Sequence, residues 1–208
     1  FDILKKYLKE NKKKLKNFDK IQLSFKYCET FAEQNYNQLE PWIQWVSVFT
    51  GKKYSEHKIF RLGDIVLNNE IKQIFETLEE KGLSVGAIAP MNVENRLKKP
   101  SYFIPDPWTN TNSDNSSFSK RITKMLRQSV NDNGTQKLSL SSIFCIFEII
   151  IRTLDLKRTN FLIQLIISAL IKPWKRSLVL DYLIHMVHIY YLKKNKINFF
   201  SIFFNAGA

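Results

Sequence analysis

From residue 70 to residue 89 the apolar positions change period. Ile71, Ile74, Phe75 and Leu78 recur at helical spacing with acidic residues between them, Gly82 follows, and Leu83 to Ala89 (LSVGAIA) is a compact apolar run. A helix closed by glycine and followed at once by a strand is the local pattern of an αβ unit that feeds a parallel sheet. Four other segments carry a pattern. Ile3, Leu4, Tyr7, Leu8, Leu15 and Phe18 predict a helix over Phe1 to Phe18, with lysines on its open face. Lys20 to Phe25 (KIQLSF) predicts a short strand. Glu40-Pro41 can start a helix, because proline is tolerated in the first turn and a carboxylate there complements the dipole. Trp42, Trp45, Val46 and Phe49 would face inward, and Gly51 would end that helix. Finally, Ile197 to Phe204 is rich in β-branched and aromatic residues and predicts a buried strand.

Between these patterned segments the character alternates. Residues 91–119 carry Pro100, Pro105 and Pro107 and then an Asn/Ser tract, too many breakers for regular structure. Loops of such length inside a domain are usually functional or disordered. Ser119 to Leu192 reads as mostly helical, with turns near residues 131–136 and at Pro173. The fold class this implies is α/β, a partial parallel sheet flanked by helices with a largely helical insertion. One incomplete domain would span 1–208: core helices and strands over 1–107, loop and helical insertion over 108–192, and a returning core strand over 193–208. The absence of an initial methionine and the apolar end suggest an internal piece of a longer protein.

Composition changes this picture only in part. Hydrophobic residues make up 44% of the chain, enough for a substantial core. The net charge of +13 comes mostly from lysines spread over helix faces without interleaved aromatics, which argues against nucleic acid and leaves an acidic or phosphorylated substrate compatible. Cys28 and Cys145 lie far apart with no CxxC spacing, which points to a reducing, cytoplasmic compartment and against a zinc finger. No stretch reaches the roughly 18 apolar residues of a membrane span.

Three groups of residues could carry chemistry. Asp181, His185 and His188 are spaced to share one face of an otherwise apolar helix, and could bind a transition metal or simply form a polar stripe. Asp106, held between two prolines, and Trp108 beside it suit a substrate-contacting loop, or a turn plugged into the core by the indole. The third group is the polar turn after Thr50-Gly51, which ends in His57; a glycine-capped helix does not by itself account for it.

That third segment, TGKKYSEHKI, resembles the Thr-Gly, short loop, His stretch that follows the nucleophile in the alkaline phosphatase superfamily, which includes type I phosphodiesterases, nucleotide pyrophosphatases and sulfatases. IFETLEEKGLSVGAIA is similar to the family's next helix and strand. YFIPDPW resembles a loop of bacterial members, and FFSIFFNAGA resembles the strand ending at a metal-binding Asp. The resemblance covers most of Gln22 to Pro107 and the last dozen residues, and it implies an alkaline-phosphatase-like fold. It also implies a metal-dependent hydrolase or transferase acting on phosphate or sulfate esters, in which two divalent ions, usually zinc, activate a Thr or Ser nucleophile. On this chain Thr50, Gly51 and His57 support the motif. The nucleophile position falls on Pro41, and the nearest upstream hydroxyl is Ser47. Asn205 stands at the metal-binding Asp position, and the paired histidine falls past Ala208, so the metal is expected only in a longer protein. Two alternatives accompany this reading. One is an inactive member of the same fold that binds a phosphorylated or sulfated small molecule or glycan through Trp108 and the charged rim at Arg61 and Arg96. The other treats residues 119–192 as a helical protein-interaction module.

Overall fold

Three short parallel strands carry the fold: β1 (Val85–Ile88), β2 (Tyr102–Ile104) and β3 (Phe199–Ile202), in the order β2-β1-β3. The computed structural model describes residues 6, 7, 9, 10, 15–24, 26, 30–131, 139–153 and 155–205. The chain falls into two units, Phe1–Ala32 and Glu33–Ala208. In the first, helix α1 covers Lys16–Ser24. The strand expected over Lys20 to Phe25 is therefore corrected to helix as far as Ser24. An isolated strand would leave its backbone groups without ladder partners, whereas a helix satisfies them internally. Most of the helix expected over Phe1 to Phe18 lies outside the described residues, as does Cys28.

In the second unit the elements follow as α2 (Pro41–Thr50), the single turn α3 (Tyr54–His57), α4 (Ile74–Glu80), β1 and β2. Helices α5 (Ser117–Asn131), α6 (Leu140–Thr153), α7 (Leu156–Ile171) and α8 (Arg176–Lys194) then lead to β3. The αβ unit at 74–88 is present as the periodicity predicts, and Gly82 adopts the left-handed φ of 77° that closes the helix. The helical segment proves to be the connection that carries the chain from β2 across β1 to β3. It begins at Ser117, two residues before the expected start.

Alternation along β1 and β2 divides the core into two layers. Val85, Ala87 and Phe103 pack on one face with Phe49 of α2 and Phe75 of α4. Ile88, Tyr102 and Ile104 pack on the other with Ile122, Ile149, Leu162 and the α8 residues Leu183, Met186 and Val187. Burial of each large apolar side chain stabilises by about 1.5–3 kcal/mol. Helix α8 is apolar nearly all round because it is the centre of the helical layer, with seven buried residues. Cys145 is a free, buried thiol, and burial pushes its pKa up to about 11, which makes it an inert core residue. The outer faces of α6 and α7 leave Phe144, Phe147, Ile151, Leu170 and Ile171 exposed. Among the described residues no helix is long and apolar enough to cross a membrane.

Three expectations need adjustment. β2 forms inside the proline-rich stretch that was expected to be irregular: Tyr102, Phe103 and Ile104 are fully buried and pair with Gly86, Ala87 and Ile88. The prolines flank the strand rather than interrupt it. β3 is only partly buried, with Phe200 47% exposed, whereas β2 at the other side of the sheet is covered on both faces. In α2 the inward residues are Ile43, Val46 and Phe49, while Trp42 and Trp45 are half-buried. The Trp42 indole N–H donates to the Phe60 carbonyl at 3.0 Å, and that polar end holds the ring at the rim.

One close approach joins the sheet to the helical layer. The Tyr102 ring lies over Gly86, so that a Cβ there would sit 2.4 Å from Tyr102 Cε1. The ring stacks on Tyr191 with centroids 4.5 Å apart, and its hydroxyl lies 3.0 Å from His188 Nδ1. Burial pushes the Tyr102 pKa well above its ordinary value, so the hydroxyl stays protonated and meets the imidazole as a neutral group. Gly86→Ala is expected to lower the unfolding free energy in urea by about 1–3 kcal/mol, the usual cost of overpacking; an unchanged midpoint and slope would show that the ring has room to move.

Candidate ligand site at the carboxyl edge of the sheet

In open parallel sheets ligands bind beyond the carboxyl ends of the strands. Here that edge is formed by residues 89–93 after β1, 105–109 after β2 and 203–205 after β3, with residues 58–64 laid over it. Asp106 is fully buried at the centre. Its carboxylate accepts hydrogen bonds from the Asn92 N–H (3.2 Å), the Trp108 N–H (2.9 Å), the Thr109 N–H (3.0 Å) and the Thr109 hydroxyl. Burial pushes this carboxyl above its ordinary range, while the four donors pull the other way.

Asn92 extends the network. Its backbone is held at φ 55°, a left-handed conformation that asparagine tolerates better than most residues. Its side chain then spans the overlying loop, accepting from the Gly63 N–H at 2.9 Å and donating to the Arg61 carbonyl at 2.8 Å. Gly63, at φ 89°, lies so close to the Trp108 carbonyl that a Cβ would sit 2.6 Å from its oxygen. Three loops are thereby tied to one carboxylate. The sequence reading did not single out Asn92; the available signal was an asparagine soon after a strand, where side chains that bond locally are favoured.

The candidate residues take different places around this hub. Asp106 is occupied by its four donors and organises the loops, the turn alternative named above. Trp108 is half-buried in the loop after β2. The Arg61 side chain is exposed and has no hydrogen bond or ion pair among the described residues, whereas Arg96 is turned inward. Arg96 donates to Glu94 at 2.7 Å, to the Ile71 carbonyl at 3.2 Å and to the Val66 carbonyl, holding the 66–71 loop.

Ser47 and His57 do meet, with Oγ and Nε2 at 3.1 Å. The direction of this contact follows from the other ring nitrogen. Nδ1 accepts the Ile59 N–H at 3.0 Å, so the proton of the neutral ring is on Nε2 and is donated to Ser47. A histidine held this way cannot take the serine's proton, and the pair acts as a latch between α2 and α3. Thr50 is also engaged within the chain: its hydroxyl donates to the Val46 carbonyl at 2.7 Å and accepts from the Lys52 N–H at 3.2 Å. Gly51 closes α2 at φ 67°. Pro41 is the first residue of α2, behind Glu40 as N-cap.

A zinc ion needs three or four N, O or S ligands at about 2.0–2.3 Å. The Asp181, His185 and His188 stripe does not offer that donor set. His188 Nδ1 faces the Tyr102 hydroxyl, Asp181 Oδ1 accepts the Asn205 N–H at 3.0 Å, and the His185 ring packs between Tyr182 and Phe204. Among the described residues no three His, Cys, Asp or Glu side chains are grouped to hold a metal ion. Asn205 meets Asp181 through its backbone and brings no carboxylate of its own. The described residues therefore do not fit a metal centre by themselves.

No protein-family model, curated protein or solved structure matches this chain.

Burial holds His57, His185 and His188 below their ordinary pKa. The unfolded chain therefore binds protons that the folded chain refuses, and stability is fully present above about pH 6.5, the unperturbed histidine value, and falls as pH drops below it. The thermal midpoint should be lower at pH 5.5 than at pH 7.5, and His57→Gln should weaken this dependence; an equal slope in the variant would remove His57 from the account.

Proposed function

We propose that this chain is part of an α/β domain of the alkaline phosphatase type, and that its carboxyl edge binds phosphate or sulfate esters without cleaving them through the residues described. The reading rests on one observation above all. The loop bearing Arg61 and Gly63, which follows the Thr-Gly to His segment, and the Pro-Asp-Pro loop, distant from it in sequence, are fastened through Asn92 and Asp106 at the carboxyl ends of parallel strands. That is the edge at which such sheets receive ligands. Arg61 supplies a guanidinium with no ion pair among the described residues, suited to a phosphate or sulfate oxygen, and Trp108, in the loop after β2, supplies an apolar surface.

Binding is favoured over hydrolysis by the chemistry of the side chains. The nucleophile position of the resembled family holds Pro41, which has no hydroxyl. Ser47 receives a hydrogen bond from His57 and has no base to activate it. The domain then recognises an ester group and retains it, and any divalent ion would need ligands beyond those described.

The test combines binding and turnover on one preparation. Calorimetry with nitrophenyl phosphate, bis-nitrophenyl phosphate and nitrophenyl sulfate should show weak binding of at least one ester. Arg61→Ala and Trp108→Ala should each lower that affinity by about tenfold, the scale of a charge-assisted hydrogen bond, with circular dichroism checking that each variant folds. No nitrophenol should appear with zinc or manganese supplied. Turnover that Ser47→Ala abolishes would overturn the binding-only reading, and absence of binding by all three esters would overturn the ligand class.

A further inference from the structure

A second site lies at the opposite, amino edge of the sheet. A cavity of about 560 Å³ opens there, and a second of about 230 Å³, among the helices, shares with it Lys194 near the end of α8. The larger is reached by Lys98 and Lys99, from the loop entering β2, and by Asn195. The smaller adds Arg152, Arg158 and Lys193.

The charge around these cavities is uneven in a way that identifies a ligand. Lys98 and Lys99 fix their backbone by donating both N–H groups to Glu79, each at 2.7 Å, so the loop is held while the two side chains remain exposed. Neither ammonium group has a hydrogen bond or ion pair among the described residues. Lys194 Nζ lies 5.8 Å from the Tyr190 ring. Asp114 is the acidic residue in the larger lining, and its oxygens are already engaged by the Phe103 N–H, the Ser116 N–H and the Ser119 hydroxyl. In the smaller cavity Arg152 is paired with Glu148 and Arg158 with Asp155, which Lys193 also attracts, but Lys194 carries no ion pair among the described residues. Asn95, Asn112, Ser113 and Ser116 supply neutral donors and acceptors around the larger cavity.

We propose that the Lys98–Lys99–Lys194 cavity pair binds a small molecule carrying at least two phosphate or sulfate groups, one seated against Lys98 and Lys99 and another against Lys194. The larger volume lies within the ordinary range for small-molecule sites. Amides and hydroxyls around the cations suit a polyhydroxylated ligand. In the larger cavity the aromatic residue of the wall, Tyr191, is buried, so a nucleic-acid strand would find charge there and no platform. This site is separate from the carboxyl edge and does not depend on the function proposed for it.

The test titrates the chain with inorganic pyrophosphate and, in a second arm, with a disulfated disaccharide, at about 0.15 M salt, where diffuse attraction is largely screened. At least one probe should bind with a Kd below about 1 mM. The pair Lys98→Gln/Lys99→Gln and the single change Lys194→Gln should each weaken binding by about tenfold or more. A control pair, Lys172→Gln/Arg176→Gln, also removes two exposed charges, but near the other end of α8, about 27 Å away at 1.5 Å per residue. That control and Arg61→Ala should both leave affinity within about twofold. Binding by pyrophosphate alone assigns a phosphorylated ligand, and binding by the disaccharide alone assigns a sulfated one. Failure of both probes, or an equal loss in the control pair, would overturn the site.

Discussion

The buried carboxylate of Asp106 is the constraint on which the carboxyl edge depends. Removing a carboxylate from water is expensive unless its oxygens are met by donors. This sequence meets them with backbone groups drawn from the loops after β1 and β2. Fixing the Asn92 backbone also fixes where the Asn92 side chain points, and that side chain captures the loop bearing Arg61 and Gly63. The conformation of a surface loop is thus set by a buried group. Arg61, exposed on that loop, and Trp108, half-buried in the next, inherit their positions from it.

A second constraint, the seat of Tyr102 on Gly86, sets the opposite face. The glycine leaves room for an aromatic ring flat against the sheet, and the ring offers α8 a stacking surface and a hydrogen bond to His188. Helix α8 can therefore be apolar nearly all round and still carry a histidine at the sheet. The helical connection from β2 to β3 is long because it must build this whole layer before returning to the sheet. Its last residues bring Lys194 to the amino edge, where it lines one cavity with Lys98 and Lys99.

Much of this architecture is legible in the sequence because it rests on local periodicity. The αβ unit at 74–88 is visible from four apolar positions and a glycine, and the helical run from the absence of breakers. What was not legible depends on partners distant along the chain. Tyr102 to Ile104 looks irregular among prolines until β1 supplies a ladder for it. Lys20 to Phe25 has the composition of a strand, but the residues described as far as Ser24 are helical. Asp106 was noticed, yet its environment could not be read, because nothing in Pro-Asp-Pro says whether a carboxylate turns outward to a ligand or inward to Asn92. The Ser47–His57 pair has the composition of a catalytic pair, and only the Ile59 N–H at the far ring nitrogen reveals its direction.

The claim that one carboxylate orders the carboxyl edge is tested most directly by amide hydrogen exchange on the parent chain and on Asp106→Asn. An amide in place of the carboxylate keeps the shape but removes the charge and turns an NH2 toward groups that are themselves donors. In the parent, the amides of Gly63, Asn92, Trp108 and Thr109 should exchange slowly and as one group. In the variant all four should lose protection together, including Gly63, which does not touch Asp106, while Ala87 and Phe103 in the strands stay protected. Independent exchange of these amides in the parent, or a Gly63 amide unchanged by the substitution, would contradict the account.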